Sequence, residues 1–350
     1  MIYDQLANSL SRNQETYGGL NERLSTGKKI NKPSDDVFGM MRAMDYRVSI
    51  NSNDQFQRNI DEGSLRLNLT DTTMKSVSDT LASVRQLIAF SASGVSDPIL
   101  QSTYSTNAVQ LRDNLLSFAN ARGAGQYLFS GYRMDVQPYT DPVPVPPPAA
   151  YTYQGDTGVM NVQIDQSQVM PINITGNEAF SYTLGAPGTT EVKQISNGMM
   201  VHYTQGAGTT INVEIRQADD VQRLPGHPPD GFPDDDTFSF SNVLQMTDVL
   251  SSAISTNNIS RINALVSPFD KMSTQAMTVQ AEIGSRLSQL NAQSDRLKNV
   301  TNTLQNSLSV VEDADMTQTA VELNKTDVTL QALRASAARI LSQSLLDFLK

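Results

Sequence analysis

Residues 56–88 read FQRNIDEGSLRLNLTDTTMKSVSDTLASVRQLI. Phe56, Ile60, Gly63, Leu67, Thr70, Met74, Val77, Leu81, Val84 and Ile88 follow one another at alternating gaps of four and three. That spacing belongs to a helix with a single seam turned toward other helices. Upstream, Val37, Met41, Met44 and Val48 extend the pattern less regularly. A continuous helix over 36–92 would be roughly 85 Å long. Ordinary globular helices are far shorter, so the stretch predicts a bundle or coiled coil.

On the N-terminal side the seam recurs as Tyr3, Leu6, Leu10, Asn13, Tyr17, Leu20 and Leu24, predicting a helix over about 4–25 that stops at Gly27. Lys28 to Pro33 then reads as a basic extended connection, because Pro33 disfavours helix at Lys32. Ser34 is the expected N-cap of the long helix, with Asp35 and Asp36 suiting its positive end. On the C-terminal side Gly94 and Pro98 end the long helix, and a third follows over about 99–122. A second long helix is expected over about 259–311, through Ile262, Phe269, Met272, Ala276, Val279, Ile283, Leu290, Leu297, Val300 and Leu304. Arg286 and Gln293 interrupt that seam, and Pro268 predicts a kink or an early break. A last helix over 316–349 carries Leu330, Leu333, Ala337, Ile340, Ser344 and Phe348.

The middle is different. Residues 131–240 hold 12 of the 15 prolines and 11 of the 20 glycines. Short alternating runs at 159–164, 171–174 and 210–215 are strand signals between turn clusters. Pro142–Pro148 reads as an extended polyproline spacer, and 223–236 as a second irregular loop. The expected class is therefore multidomain α+β: an elongated α-helical bundle or coiled coil built from both chain ends, with an inserted β-rich domain. The expected domains are terminal coiled-coil segments at 1–34 plus 316–350, a helical bundle at 35–130 plus 241–315, and an outer β-rich insert at 131–240.

The net charge of −10 lies almost wholly in the insert, where 13 acidic residues face four basic ones. Phosphate contacts need clustered Lys and Arg, so nucleic acid is not an expected partner. There are no cysteines, which removes disulfides and thiolate chemistry. No apolar run of about 18 residues predicts membrane insertion, and the N-terminus shows no cleaved secretory signal. The two histidines, His202 and His227, lack metal-ligand spacing, and Asp234–Asp236 lacks the EF-hand pattern. No nucleophile elbow, P-loop or GxGxxG occurs. The expectation is a protein without cofactor, metal or enzyme activity. The inner seams are expected to pack within one subunit. Those of 1–25 and 316–350 lack a neighbouring core and are expected to pack between copies of the chain.

Residues 24–36, LSTGKKINKPSDD, resemble the N-terminal segment of the flagellin family. The Lys32-Pro33-Ser34-Asp35-Asp36 ending is similar to its hook-associated members, since filament subunits usually lack that proline. Residues 123–141, GAGQYLFSGYRMDVQPYTD, and the tail from Glu312 through Ser344–Leu349 fit the same branch. The resemblance implies a structural component of the bacterial flagellum that links hook to filament, with a filament flagellin as the alternative. It implies export without a cleaved signal to an extracellular position. Implied partners are copies of itself, the adjacent hook-associated protein and flagellin, and an export chaperone at the C-terminal helix. It places Leu6, Leu10, Leu20, Leu24, Leu333, Ile340, Leu345 and Leu349 in the packing of an inner tube.

Overall fold

The computed structural model describes residues 2–94, 97–140, 151–195, 199–217 and 236–348, with side chains at the two ends described only from Gln5 to Arg339. The Pro142–Pro148 spacer, the 223–235 loop with His227, and Leu349 lie outside the described residues, as do the side chains of Ile340 and Leu345. The chain divides into two units, Met1–Gln57 with Asp295–Lys350, and Arg58–Ser294.

The second unit is built on two long helices, α2 (Val37–Ser91) and α6 (Ile259–Glu312), in their stretches within 58–294. The seam residues Ile60, Leu67, Met74, Val77, Leu81, Val84 and Ile88 are buried on α2, and Ile262, Phe269, Met272, Ala276, Val279, Ile283 and Leu290 on α6. The helices run antiparallel: Arg85 pairs with Asp270 at 3.2 Å, and Gly63 lies level with Leu290. Gly63 is a weak helix former. Its place in the seam has a packing reason, since a Cβ there would come within 2.8 Å of Ile172.

Pro268 sits inside α6, and the helix neither stops nor breaks there. Proline supplies no N–H to the carbonyl four residues back, which orphans the carbonyl of Ala264. The Tyr203 hydroxyl donates to that carbonyl at 2.6 Å in a buried site. A strand thus provides the donor that the helix lacks, which is why the expected break does not occur.

Tyr203 belongs to a four-stranded antiparallel sheet of order β5-β6-β7-β8 (Thr190–Gln194, Met199–Gln205, Ile211–Gln217, Asp236–Phe240). Val201, Tyr203, Ile211, Val213, Ile215 and Phe240 are buried, and residues between them such as His202 and Glu214 stand across from one another on the other face. This is the period-two division of a half-buried sheet. α3 (Pro98–Ala119) packs against α5 (Val243–Ser255), held by Arg112–Asp248 at 2.5 Å. α3 starts at Pro98 with Asp97 as its cap, the Asp97 side chain accepting from Ile99 N. Two short hairpins complete the unit. β1–β2 (Arg122–Gly123, Gln126–Tyr127) turns through Ala124 and Gly125, both at positive φ, the geometry of a two-residue hairpin loop. The other is β3–β4 (Asn161–Gln163, Val169–Pro171).

The two polar interruptions in the α6 seam have a use. Arg286 donates to the carbonyl of Asn173 at 2.9 Å, and buried Gln293 to that of Ile164 at 3.0 Å. They tie the β3–β4 region to the helix. Nearby, Phe129 meets Phe180 edge-on at 5.1 Å, and Phe180 closes the short helix α4 (Gly176–Phe180). Buried Tyr139 donates to Gly176 O at 3.1 Å.

Candidate assembly interface

The first unit contains α1 (Ile2–Thr26) and α7 (Met316–Phe348), with α2 and α6 in their stretches up to 57 and from 295. α1 packs against α7. Of the residues expected to form an interface, Leu20 is buried in this pair, together with Leu330 and Thr319 of α7. Leu6, Leu10, Leu24 and Leu333 are half-buried. Ile340 and Leu345 lie on α7. Asn13 donates to the carbonyl of Ser9 in its own helix at 2.8 Å. An open groove of about 530 Å³ runs between the helices, lined by Asn13, Thr16, Gly19, Arg23, Lys325 and Thr329 among others. Opposite its α1-facing side, α7 exposes Val321 and Val328. The pair therefore covers one stripe of each helix only in part.

The loop between α1 and α2 is where sequence reading fell short. Gly27 takes φ +73, as its place after the helix predicts. The chain then forms a β-bridge between Lys28 and Asp313. Lys29 N donates to Glu312 O at 2.7 Å, and Ala314 N to Gly27 O at 2.8 Å. The Glu312 carboxylate, almost fully buried, takes Lys28 at 2.5 Å and also Arg47 of α2. Lys29 Nζ reaches the carbonyl of Val310 at 2.8 Å, and Ile30 is buried beside Gly39. The basic connection is therefore a clasp on the α6–α7 joint. Basic residues in the loop and an acidic run at the joint were the only signal of it.

Asp35 and Asp36, not Ser34, organise the start of α2. Asp35 N donates to Lys32 O at 3.0 Å across a turn with Pro33 second. This turn places Ser34 away from the helix end. Asp36 then caps α2 by accepting from Gly39 N at 2.9 Å. The Asp35 carboxylate accepts the Lys32 and Asn31 amides, each at 2.9 Å, which holds its pKa below the ordinary aspartate value. Lys32 meets Glu22 of α1 at 2.9 Å, and that hydrogen bond raises the lysine pKa. Further along, Asn53 donates to Thr301 at 3.3 Å, so α2 and α6 are antiparallel here too.

Among the described residues no group of three or more His, Asp or Glu is placed to hold a metal ion, and no helix is long and apolar enough to cross a membrane. What the region offers is surface: two seamed helices, a groove and a clasp that fixes their root.

Comparison with known proteins gives these surfaces a family. The bacterial flagellin N-terminal helical region matches residues 1–134, and the bacterial flagellin C-terminal helical region matches residues 266–349. Flagellar hook-associated protein 3 of Salmonella typhimurium is 24% identical over 182 residues, 52% of this chain and 55% of that protein. The protein of the same name from Escherichia coli is 25% identical over 181 residues, covering 51% and 55%. The aligned part thus spans about half the length of these relatives. The crystal structure of flagellar hook associated protein-3 from Legionella pneumophila is alike in fold, with a TM-score of 0.55 and 16% identity over 76% of this chain and 98% of that one. Both seamed ends, the clasp and the Tyr127–Gly131 segment lie within the matched regions, and the chain belongs to the flagellin family.

Proposed function

We propose that this protein is a structural component of the bacterial flagellum at the hook–filament junction. The observation that carries the proposal is the α1–α7 pair, whose regular seams stay half-covered within one chain although a clasp anchors their root. The sequence likeness to hook-associated protein 3 supports the junction over other positions in the flagellum. In this reading 1–34 and 316–350 are the assembly segments. Leu6, Leu10, Leu20, Leu24, Leu333, Ile340, Leu345 and Leu349 pack against copies of the chain in an inner tube. Residues 35–130 with 241–315 form the subunit's bundle, and 131–240 the outer domain. The neighbours are the adjacent hook-associated protein and flagellin, and an export chaperone holds the C-terminal helix before assembly. The role is mechanical, with no catalytic step, and the protein works outside the cell.

Deleting the gene should leave hooks intact and release filament subunits into the medium. Restoring the wild-type gene should rebuild filaments. A Leu10→Asp copy should be exported but fail to retain them, because a carboxylate buried in the seam without a partner costs several kcal/mol. Filaments of normal length on the deletion strain would overturn the junction role. Normal filaments with Leu10→Asp would overturn the tube assignment.

A further inference from the structure

β5 (Thr190–Gln194) is an edge strand, because the sheet order gives it β6 on one side only. Ile195 N donates to Met199 O at 2.9 Å, and Gln205 N to Thr189 O at 2.8 Å. Hydrogen-bonded residues alternate along an antiparallel ladder, so Thr189, Glu191, Lys193 and Ile195 turn their backbone groups to β6. Thr190, Val192 and Gln194 turn theirs outward, and among the described residues nothing bonds these groups. A free edge of this kind invites another strand. β5 has no proline and no bulge, and its charged side chains lie toward α6 rather than across the edge. Glu191 pairs with Lys271, and Lys193 Nζ donates to Ser267 at 2.7 Å. On the opposite face Val192 is 44% exposed. Between β5 and α6 a pocket of about 310 Å³ stands open, lined by Lys193, Ile195, Asn263, Val266 and Ser267 among others. The buried Asn263 Nδ2 has no hydrogen-bond partner among the described residues. The edge therefore has open backbone groups and room beneath it for the side chains of an added strand.

We infer that β5 of one copy pairs antiparallel with β5 of a second copy about a two-fold axis at Val192, joining two four-stranded sheets into one of eight strands. The stretch TEVKQ (190–194) is complementary to itself in that register. Val192 meets the partner's Val192 and Thr190 meets the partner's Gln194, and these pairs use every outward amide and carbonyl of the strand. Glu191 stands opposite the partner's Lys193, and Lys193 opposite the partner's Glu191. Opposite charges directly across two strands stabilise the pairing, and like charges oppose it. Sliding by one step of the ladder puts Glu191 against the partner's Glu191, or Lys193 against the partner's Lys193, and carries one outward residue past the strand end. The other cations near this face are already paired, Lys271 with Glu191 and Arg85 with Asp270. Glu191 also holds Lys193 of its own strand at 3.3 Å, so the contact sets glutamates and lysines of both copies in one alternating group. Because the same patch serves both copies, the contact closes as a dimer. A two-fold contact cannot repeat along a tube whose subunits all point one way, so it belongs to free subunits, where it covers an edge open to aggregation. It stands apart from the junction reading.

In sedimentation velocity the purified full chain should pass from monomer to dimer as its concentration rises. The chain has no cysteine, so introduced thiols read the register. Val192→Cys should cross-link to itself with a short thiol reagent. Thr190→Cys alone and Gln194→Cys alone should not, and an equal mixture of the two should. Glu191→Lys should weaken the dimer about tenfold, as should Lys193→Glu, and the chain carrying both changes should regain it. That chain still lacks the Glu191–Lys271 pair, so its rescue reads the contact between copies and not the stability of one. Val192→Pro removes an outward amide without touching the bonds to β6 and should abolish the dimer. Leu10→Asp should leave the dimer unchanged, which separates this contact from the terminal seams. A chain that stays monomeric at every concentration would overturn the proposal. So would cross-links from Thr190→Cys alone, a double reversal that restores nothing, or a dimer lost with Leu10→Asp and kept with Val192→Pro.

Discussion

In the second unit, Leu67, Met74, Val77 and Val84 of α2 and Ile283 and Leu290 of α6 are sealed from solvent, whereas on α1 and α7 only Leu20 and Leu330 of the described seam residues are buried and Leu6, Leu10, Leu24 and Leu333 are covered in part. Periodicity is the same in both places. The difference lies in what surrounds each helix. The second unit also holds a four-stranded sheet, the α3–α5 pair and an aromatic cluster around Phe129 and Phe180, so its helices have many neighbours. The terminal helices have each other and a clasp. A seam therefore says which face of a helix wants cover, and only the neighbours decide whether one chain supplies it.

The largest test of that contrast is a pair of truncations. Phe180→Ala removes a fully buried ring from the second unit and should lower its stability by about 3–5 kcal/mol. Leu10→Ala, at a half-buried site on α1, should change the stability read from the same urea titration by less than about 0.5 kcal/mol. Circular dichroism and a tyrosine signal would follow both. Equal losses would show that the terminal pair and the second unit unfold as one, and the contrast would fail.

Next in size is Tyr203→Phe. It leaves the Ala264 carbonyl, already without its helical donor because of Pro268, buried and unbonded. An unsatisfied buried carbonyl costs about 1–3 kcal/mol. Hydrogen exchange should speed up in α6 around 264–268 and leave α1 and α7 unchanged. If Pro268→Ala in the same background restored nothing, the donor argument would be wrong.

Most of the helical architecture was legible because heptad spacing is a local property of the chain. Gly27, the Gly63 seam position and α6 through Leu290 follow from it. Strands were legible at 159–164 and 210–215, which hold β3 and most of β7, but not at 171–174, where only Pro171 lies in a strand. Ser34 misled because a proline turn took its place at the helix end, and Pro268 makes no break because its compensation comes from Tyr203, far away in sequence. The Glu312 clasp was nearly hidden for the same reason: the basic loop and the acidic run at the joint lie nearly 300 residues apart, and only folding joins Lys28, Arg47 and Glu312. Arg286 and Gln293 read as flaws in a seam, yet they hold the carbonyls of Asn173 and Ile164.

The clasp gives a smaller effect. Glu312→Gln removes the charge that Lys28 and Arg47 share, but both cations are close to half exposed and can turn to water. The loss should be about 1 kcal/mol, concentrated in the first unit. Amides of Lys29 and Ala314, which bond across the bridge, should exchange faster, and those of the sheet should not. Faster exchange in the sheet as well would mean that the clasp is not a local device.

The smallest effect is one of pH, and it compares one loop in each unit. Asp35 accepts the Lys32 and Asn31 amides; Asp156 accepts those of Tyr132 and Gly158, each at 2.8 Å. In both cases backbone hydrogen bonds to the charged form lower the pKa. A carboxylate with a folded pKa below its unfolded one gives stabilisation that is complete above the unfolded value of about 3.9 and is lost as pH falls through the folded value. Protection of all four amides, corrected for intrinsic exchange, should thus be flat from neutral pH down to about 4 and should fall only below it. Asp35→Asn and Asp156→Asn should each abolish the dependence in its own loop alone. Acid should then loosen the root of the α1–α7 pair through Asp35, and through Asp156 only a turn beside a packed core. Protection at Asn31 and Lys32 that is already lost near neutral pH would mean that the carboxylate is not what holds this turn.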